Sequence, residues 1–153
     1  MKKIWIIHSS DYGNSETVAN KIADGLKDTY EVRVEHLKNL TPEDFAKADL
    51  YGLIVAVRIF QFRSDKTIRN FLTGLNEVMG KPIPKFAYFS THALKWKKFF
   101  IRGMKKTVSK LGCVEEVCTD ILEIRLQGAK GPARDGADEK IEKFVSTLKE
   151  FMS

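Results

Sequence analysis

Between Ser9 and Ser15 the chain runs Ser-Ser-Asp-Tyr-Gly-Asn-Ser. An apolar run, Ile4 to Ile7, comes just before this stretch, and a helix-like sequence opens at Glu16. Hydroxyls, an amide and a glycine at a strand-to-helix junction suit the seating of an anion. The first N–H groups of a helix lack intrahelical partners, the helix dipole is positive there, and short hydroxyls add donors. The chemistry implied is a phosphate cradle. A helix start capped locally by Ser15 or Asn14 uses the same residue types.

Other chemistries find little support. No Lys follows a glycine in the P-loop pattern, and no G-x-G-x-x-G fingerprint opens this helix. Cys113 and Cys118 are the only cysteines, and no His or Cys stands at ligand spacing from them. No metal site is therefore expected, and both are read as reduced thiols of a cytoplasmic protein. No acid–base pair stands out, so no catalytic residue is assigned.

The elements that must position the cradle alternate along the whole chain. Expected strands are Ile4–His8, Val32–His36, Leu53–Ile59, Lys85–Ser90 and Val114–Ile124. Expected helices are Ser15–Lys27, Ser64–Met79, Leu94–Leu111 and Ala137–Met152, with a shorter turn at Thr41–Ala48 where Thr41 precedes Pro42 as cap and first helical residue. Leu53 to Val57 is continuously apolar, as in a strand covered on both faces. Val18, Ile22 and Leu26 form one helical stripe, and Ile141, Phe144, Val145, Leu148 and Phe151 form another. Strict alternation with five strands predicts a single α/β domain over residues 1–153, a three-layer sandwich around a mostly parallel sheet. With 153 residues, 43% of them apolar, the chain can bury a substantial core. The apolar part of MKKIWIIHSS is too short for a targeting signal, so a strand at the very start is expected, and no segment is long enough to span a bilayer.

The turn Ser10-Asp11-Tyr12-Gly13-Asn14-Ser15-Glu16 resembles the FMN phosphate loop of flavodoxins and their relatives, S/T-x-T-G-N-T-E. Tyr at the third place is similar to the flavodiiron and NAD(P)H:quinone oxidoreductase branches. The resemblance implies a flavodoxin-like sheet of order 2-1-3-4-5, with FMN at the switch point beside the first and third strands. It places Ser9, Ser10, Asp11, Tyr12, Gly13, Asn14 and Ser15 around the phosphate, with Gly13 allowing close backbone approach. The second flavin loop is then Val57-Arg58-Ile59-Phe60-Gln61-Phe62, followed by Ile68-Arg69-Asn70-Phe71-Leu72, which matches the family's V-R-N-F-L-like helix. Val57, Arg58 and Ile59 depart from the small, polar residues usual there. Phe60 falls where an aromatic stacks on the isoalloxazine, although Phe60 and Phe62 equally suit a core or a lid. The third loop, Ser90-Thr91-His92-Ala93, is implied to flank the pyrimidine edge of the ring. His92 has the chemistry of a proton donor to a quinone or to flavin N1, and equally of a solvated loop histidine. The likeness extends to Gly128-Ala129-Lys130-Gly131-Pro132, before the last helix.

The charge balance bears on partners. Twenty-six Lys and Arg against 20 Asp and Glu give a formal +6, and Trp96 to Lys106 is the most cationic stretch. Trp96, Phe99, Phe100, Met104 and Leu111 make a core-facing stripe, with Lys95, Lys98, Arg102 and Lys105 on the other side. Such a helix is an ordinary amphipathic element with a solvated face, or a docking surface for an acidic, ferredoxin-like redox partner or for an anionic membrane holding a quinone. Nucleic acid is disfavoured, because the aromatics fall at core spacing and no reading motif is present.

Three functions follow. The favoured one is an FMN-binding electron carrier that shuttles electrons through FMN redox states to an acidic protein partner, needing no catalytic side chain. The second is an FMN-dependent oxidoreductase of quinone or protoporphyrinogen type. The third is a non-redox binding module on the same scaffold.

Overall fold

The computed structural model describes residues 1–9, 13–60, 63–64, 66–92, 111–127 and 131–153. Its strands are β1 (Lys3–His8), β2 (Glu31–His36), β3 (Gly52–Phe60), β4 (Arg63–Ser64), β5 (Ile83–His92), β6 (Val114–Val117) and β7 (Leu122–Arg125). The α-helices among the described residues are α1 (Asn14–Leu26), α2 (Pro42–Ala48), α3 (Lys66–Val78) and α4 (Ala137–Met152). The expected helix Leu94–Leu111 falls almost wholly outside the described residues.

The sheet runs β2-β1-β3-β5-β6, with β7 also on β5. Apart from the short return of β4 onto the end of β3, every pairing of these strands is parallel. Counting β6 and β7 as one position, this is the expected order 2-1-3-4-5, with helices on both faces. The strand expected at Val114–Ile124 is broken. Phe86 pairs with Val117 and Phe89 with Leu122, so two residues of β5 lie opposite four, Cys118 to Ile121. Two residues are thus looped out, as in an enlarged bulge. The segment stays tethered, because Cys118 donates its N–H to the Phe86 carbonyl at 2.8 Å.

Side-chain alternation sorts the core into two. Ile4 and Ile6 of β1, Ile54 and Ala56 of β3, and Ala87 and Phe89 of β5 pack under α1 and α4. Ile7, then Leu53, Val55 and Val57, then Phe86 and Tyr88 pack under α2 and α3. This is why β3 reads as a continuous apolar run: both of its faces are dry. Helix α1 reaches α4 through Gly25, where a Cβ would come within 2.7 Å of Val145 Cγ1. Helix α2 starts on Thr41, whose N–H donates to the Asp44 carboxylate at 2.8 Å, with Pro42 in the first helical turn. Cys113 and Cys118 are buried in different cores, and burial pushes both thiols up from their ordinary value.

Candidate functional site

Parallel strands point the same way, so the C-terminal ends of β1, β3 and β5 gather at one end of the sheet, and the chain leaves each of them there. Register fixes the neighbours: Val57 lies beside Ser90 and Arg58 beside Thr91, while Thr91 is flanked on its other side by Ile124. Ser9 follows β1 directly and is buried.

Gly13 heads α1 in the left-handed conformation, φ 87°, which favours glycine. As a glycine, Gly13 has no side chain of its own with which to cap this helix start. The Gly13 carbonyl takes two bonds from Thr17, its N–H at 2.9 Å and its hydroxyl at 2.8 Å. The first turn is thereby closed from within. A Cβ built on Gly13 would meet no atom of the described residues within 4 Å, so they leave the space beside it open.

Ser15, 1% exposed, reaches Thr91, 4% exposed, with 3.0 Å between the two hydroxyl oxygens. This bond ties the start of α1 to the end of β5. From the opposite side Gly131, at φ 83°, lies against Asn14 so closely that a Cβ there would overlap the side-chain amide. Ser90 is 4% exposed, and its hydroxyl has no hydrogen-bond partner among the described residues. Tyr88, two residues earlier and on the same face of β5, has a buried hydroxyl in the same condition, and burial pushes its pKa up to about 12. At the outer side His8 and His36, paired in register, meet edge-on with ring centroids 5.1 Å apart. His36 Nδ1 accepts the Lys38 N–H at 3.1 Å.

The structure therefore brings Ser9, Gly13, Asn14, Ser15, Ser90 and Thr91 to one end of the sheet. Val57 ends up in the α3-side core, 2% exposed. Ser10, Asp11, Tyr12, Gln61, Phe62 and Ala93 lie outside the described residues, as do the side chains of Arg58, Ile59, Phe60 and His92. Two contacts were not anticipated from the sequence: Thr91 with Ser15, and Gly131 with Asn14. The Gly-Pro pair at 131–132 signals a turn, but nothing local says that the turn abuts Asn14.

The donor set suits a phosphate ester carrying a polar head. A glycine-headed helix start supplies N–H groups, Ser15 adds a hydroxyl, and the space that the described residues leave open at Gly13 admits close approach. Among the described residues no group of three or more His, Cys, Asp or Glu side chains could hold a metal ion, and no helix is long and apolar enough to cross a membrane.

Comparison with known proteins agrees with this architecture. The chain has the flavodoxin-like fold: it is similar to oxidised flavodoxin 1 from Bacillus cereus with a TM-score of 0.76 and 18% identity, covering 100% of both chains. In sequence it is similar to an NAD(P)H dehydrogenase (quinone) of Rhizobium johnstonii, 42% identical over 60 residues, which is 39% of this chain and 30% of that protein. It is also similar to an NAD(P)H dehydrogenase (quinone) of a Bradyrhizobium species, 28% identical over 105 residues, or 67% of this chain and 53% of that one. These matches span about half or less of the length of those curated relatives. No family model matches the chain.

Proposed function

We propose that residues 1–153 form a single FMN-binding domain that transfers electrons in the cytoplasm, passing them to a redox protein or a quinone. The observation that carries the proposal is the meeting, at one end of the sheet, of the Gly13-headed helix with the Ser90–Thr91 end of β5. In this reading Ser9, Ser10, Asp11, Tyr12, Gly13, Asn14 and Ser15 seat the phosphate, the segment from Val57 to Phe62 borders one side of the ring, and Ser90 to Ala93 border the other.

Bound FMN supplies one- and two-electron chemistry that no side chain offers. The chain's own contribution is binding and orientation. Helix N–H groups and the Ser15 hydroxyl hydrogen-bond the phosphate oxygens without a cation, and Gly13 keeps the backbone close to them. The dry strands beneath fix the spacing between the loops. The cationic stretch Lys95 to Lys106 and the net charge of +6 support an acidic, ferredoxin-like partner, met by electrostatic steering.

A second reading, an FMN-dependent NAD(P)H:quinone oxidoreductase, draws support from the name shared by the curated relatives. One preparation tests both. Purified protein should show the visible absorption of bound flavin or quench added FMN. Anaerobic exchange with a reduced ferredoxin-like protein but no steady-state NAD(P)H–quinone turnover selects the carrier. Sustained turnover selects the oxidoreductase. A folded protein that stays colourless and ignores FMN refutes both and leaves a non-redox module.

A further inference from the structure

We propose that Thr91 is a positioning residue for Ser15, and that through Ser15 it decides how far the site prefers a phosphorylated flavin over the same flavin without its phosphate. The proposal rests on the FMN reading above and adds a residue and a direction of hydrogen bonding to it.

The two hydroxyl oxygens are 3.0 Å apart in a buried contact between residues 76 positions apart. A hydroxyl has one proton to give and lone pairs to accept with. If Ser15 donated to Thr91, its only proton would be spent and nothing would be left for a phosphate oxygen. If Thr91 donates, the Ser15 proton is free and its hydroxyl is polarised by the bond it accepts. A phosphate ester near neutral pH offers acceptors, so its arrival selects the second arrangement: Thr91 to Ser15 to phosphate.

The sheet makes Thr91 a rigid source for this chain of bonds. Its backbone lies between Arg58 of β3 and Ile124 of β7, so neither flank is free to shift. Its side chain shares the face of Ala87 and Phe89, which pack under α1, and so it is presented toward the start of that helix. Ser15 by contrast sits in the first turn of α1, behind a glycine that has no side chain to hold the helix start. Without Thr91 the serine hydroxyl loses its anchor in the sheet and is free to rotate.

The test is a pair of titrations on each protein, one with FMN and one with riboflavin, followed by flavin fluorescence. Thr91→Val keeps the branched shape and removes the hydroxyl. It should weaken FMN binding about tenfold, the order expected for one hydrogen bond in the chain, and leave riboflavin within about twofold. Thr91→Ser should restore FMN binding, and adding Thr91→Val to Ser15→Ala should cost nothing further. Should the valine chain fail to fold, Thr91→Ala carries the same expectation. Equal loss of both flavins, or no change in either, removes the positioning role while FMN binding by the wild type keeps the cofactor reading. A wild-type chain that binds no FMN removes both.

Discussion

Gly131 presses its backbone against the side-chain amide of Asn14, with no room for a Cβ between them. The loop leading into α4 thus buttresses the helix start that carries the candidate phosphate site. Gly131 also holds φ at 83°, where an L side chain is strained. Gly131→Ala should therefore displace the Asn14 amide and reduce FMN affinity by about tenfold, the worth of roughly one hydrogen bond to the ligand. Far-UV circular dichroism together with a flavin titration checks this. Native affinity in a folded variant would show that Asn14 does not need its buttress.

Gly13 makes a different demand. No described residue crowds the position where its Cβ would be, so what folding requires of it is the left-handed backbone. Asn enters that region more readily than a branched residue. Gly13→Asn should therefore keep more thermal stability than Gly13→Val, by about 1 kcal/mol or more. Equal melting temperatures for the two variants would contradict the conformational explanation. Both should lose FMN affinity, because either side chain occupies the open space beside the helix start.

Tyr88 carries a hydroxyl that burial isolates and no described group satisfies. Removing such a group from both sides of the folding equilibrium relieves a desolvation cost of about 1–3 kcal/mol. Tyr88→Phe should accordingly raise the melting temperature at neutral pH. The wild type should also show an alkaline signature. Its folded pKa of about 12 exceeds that of a free tyrosine, so the folded state holds the proton longer. The contribution is fully present below about pH 10 and is lost as pH rises toward the folded value, at up to about 1.4 kcal/mol per pH unit. Denaturant titrations between pH 9 and 12 should show a shallower decline in Tyr88→Phe, with pH points chosen around the values about which free and buried tyrosines titrate. Parallel declines in the two proteins would count against it.

Gly25 sits in the interior of α1, where Ala is favoured over Gly by about 1 kcal/mol. Packing overrides that preference, since the new methyl would lie 2.7 Å from Val145 Cγ1 and 3.0 Å from Cγ2. Valine is stiff at χ1 and cannot turn aside cheaply. Overpacking of this kind costs about 1–3 kcal/mol, so Gly25→Ala should destabilise the protein despite better helix propensity. Pairing it with Val145→Ala should recover the loss. A stabilised single variant would mean that α1 and α4 can separate without cost.

Much of this was legible in the residues. The continuous run Leu53–Val57, the stripe Val18, Ile22, Leu26 and the matching stripe of α4 sorted themselves into a sheet with two covered faces, and β1, β2 and α4 begin or end within a residue of expectation. The break at Cys118–Ile121 was not legible. Val114–Ile124 is apolar enough to read as one strand, and only its two separate registers against β5 reveal the looped-out residues.

The sequence by itself determined the layer architecture, a helix start at Ser15, one residue after the observed start at Asn14, and the residue types that could seat a phosphate, because hydrophobic period, turn chemistry and helix starts are properties of neighbouring residues. Tertiary structure alone decided that Ser15 meets Thr91, that Gly131 closes on Asn14, and that the Ser90 hydroxyl is left without a described partner. The physical reason is register. Side chains alternate between faces along a strand, so a one-residue slip of β5 would carry Thr91 away from α1 and put another residue opposite Ser15. Contacts between polar groups far apart in the chain depend on how whole elements pack, and no local pattern encodes that.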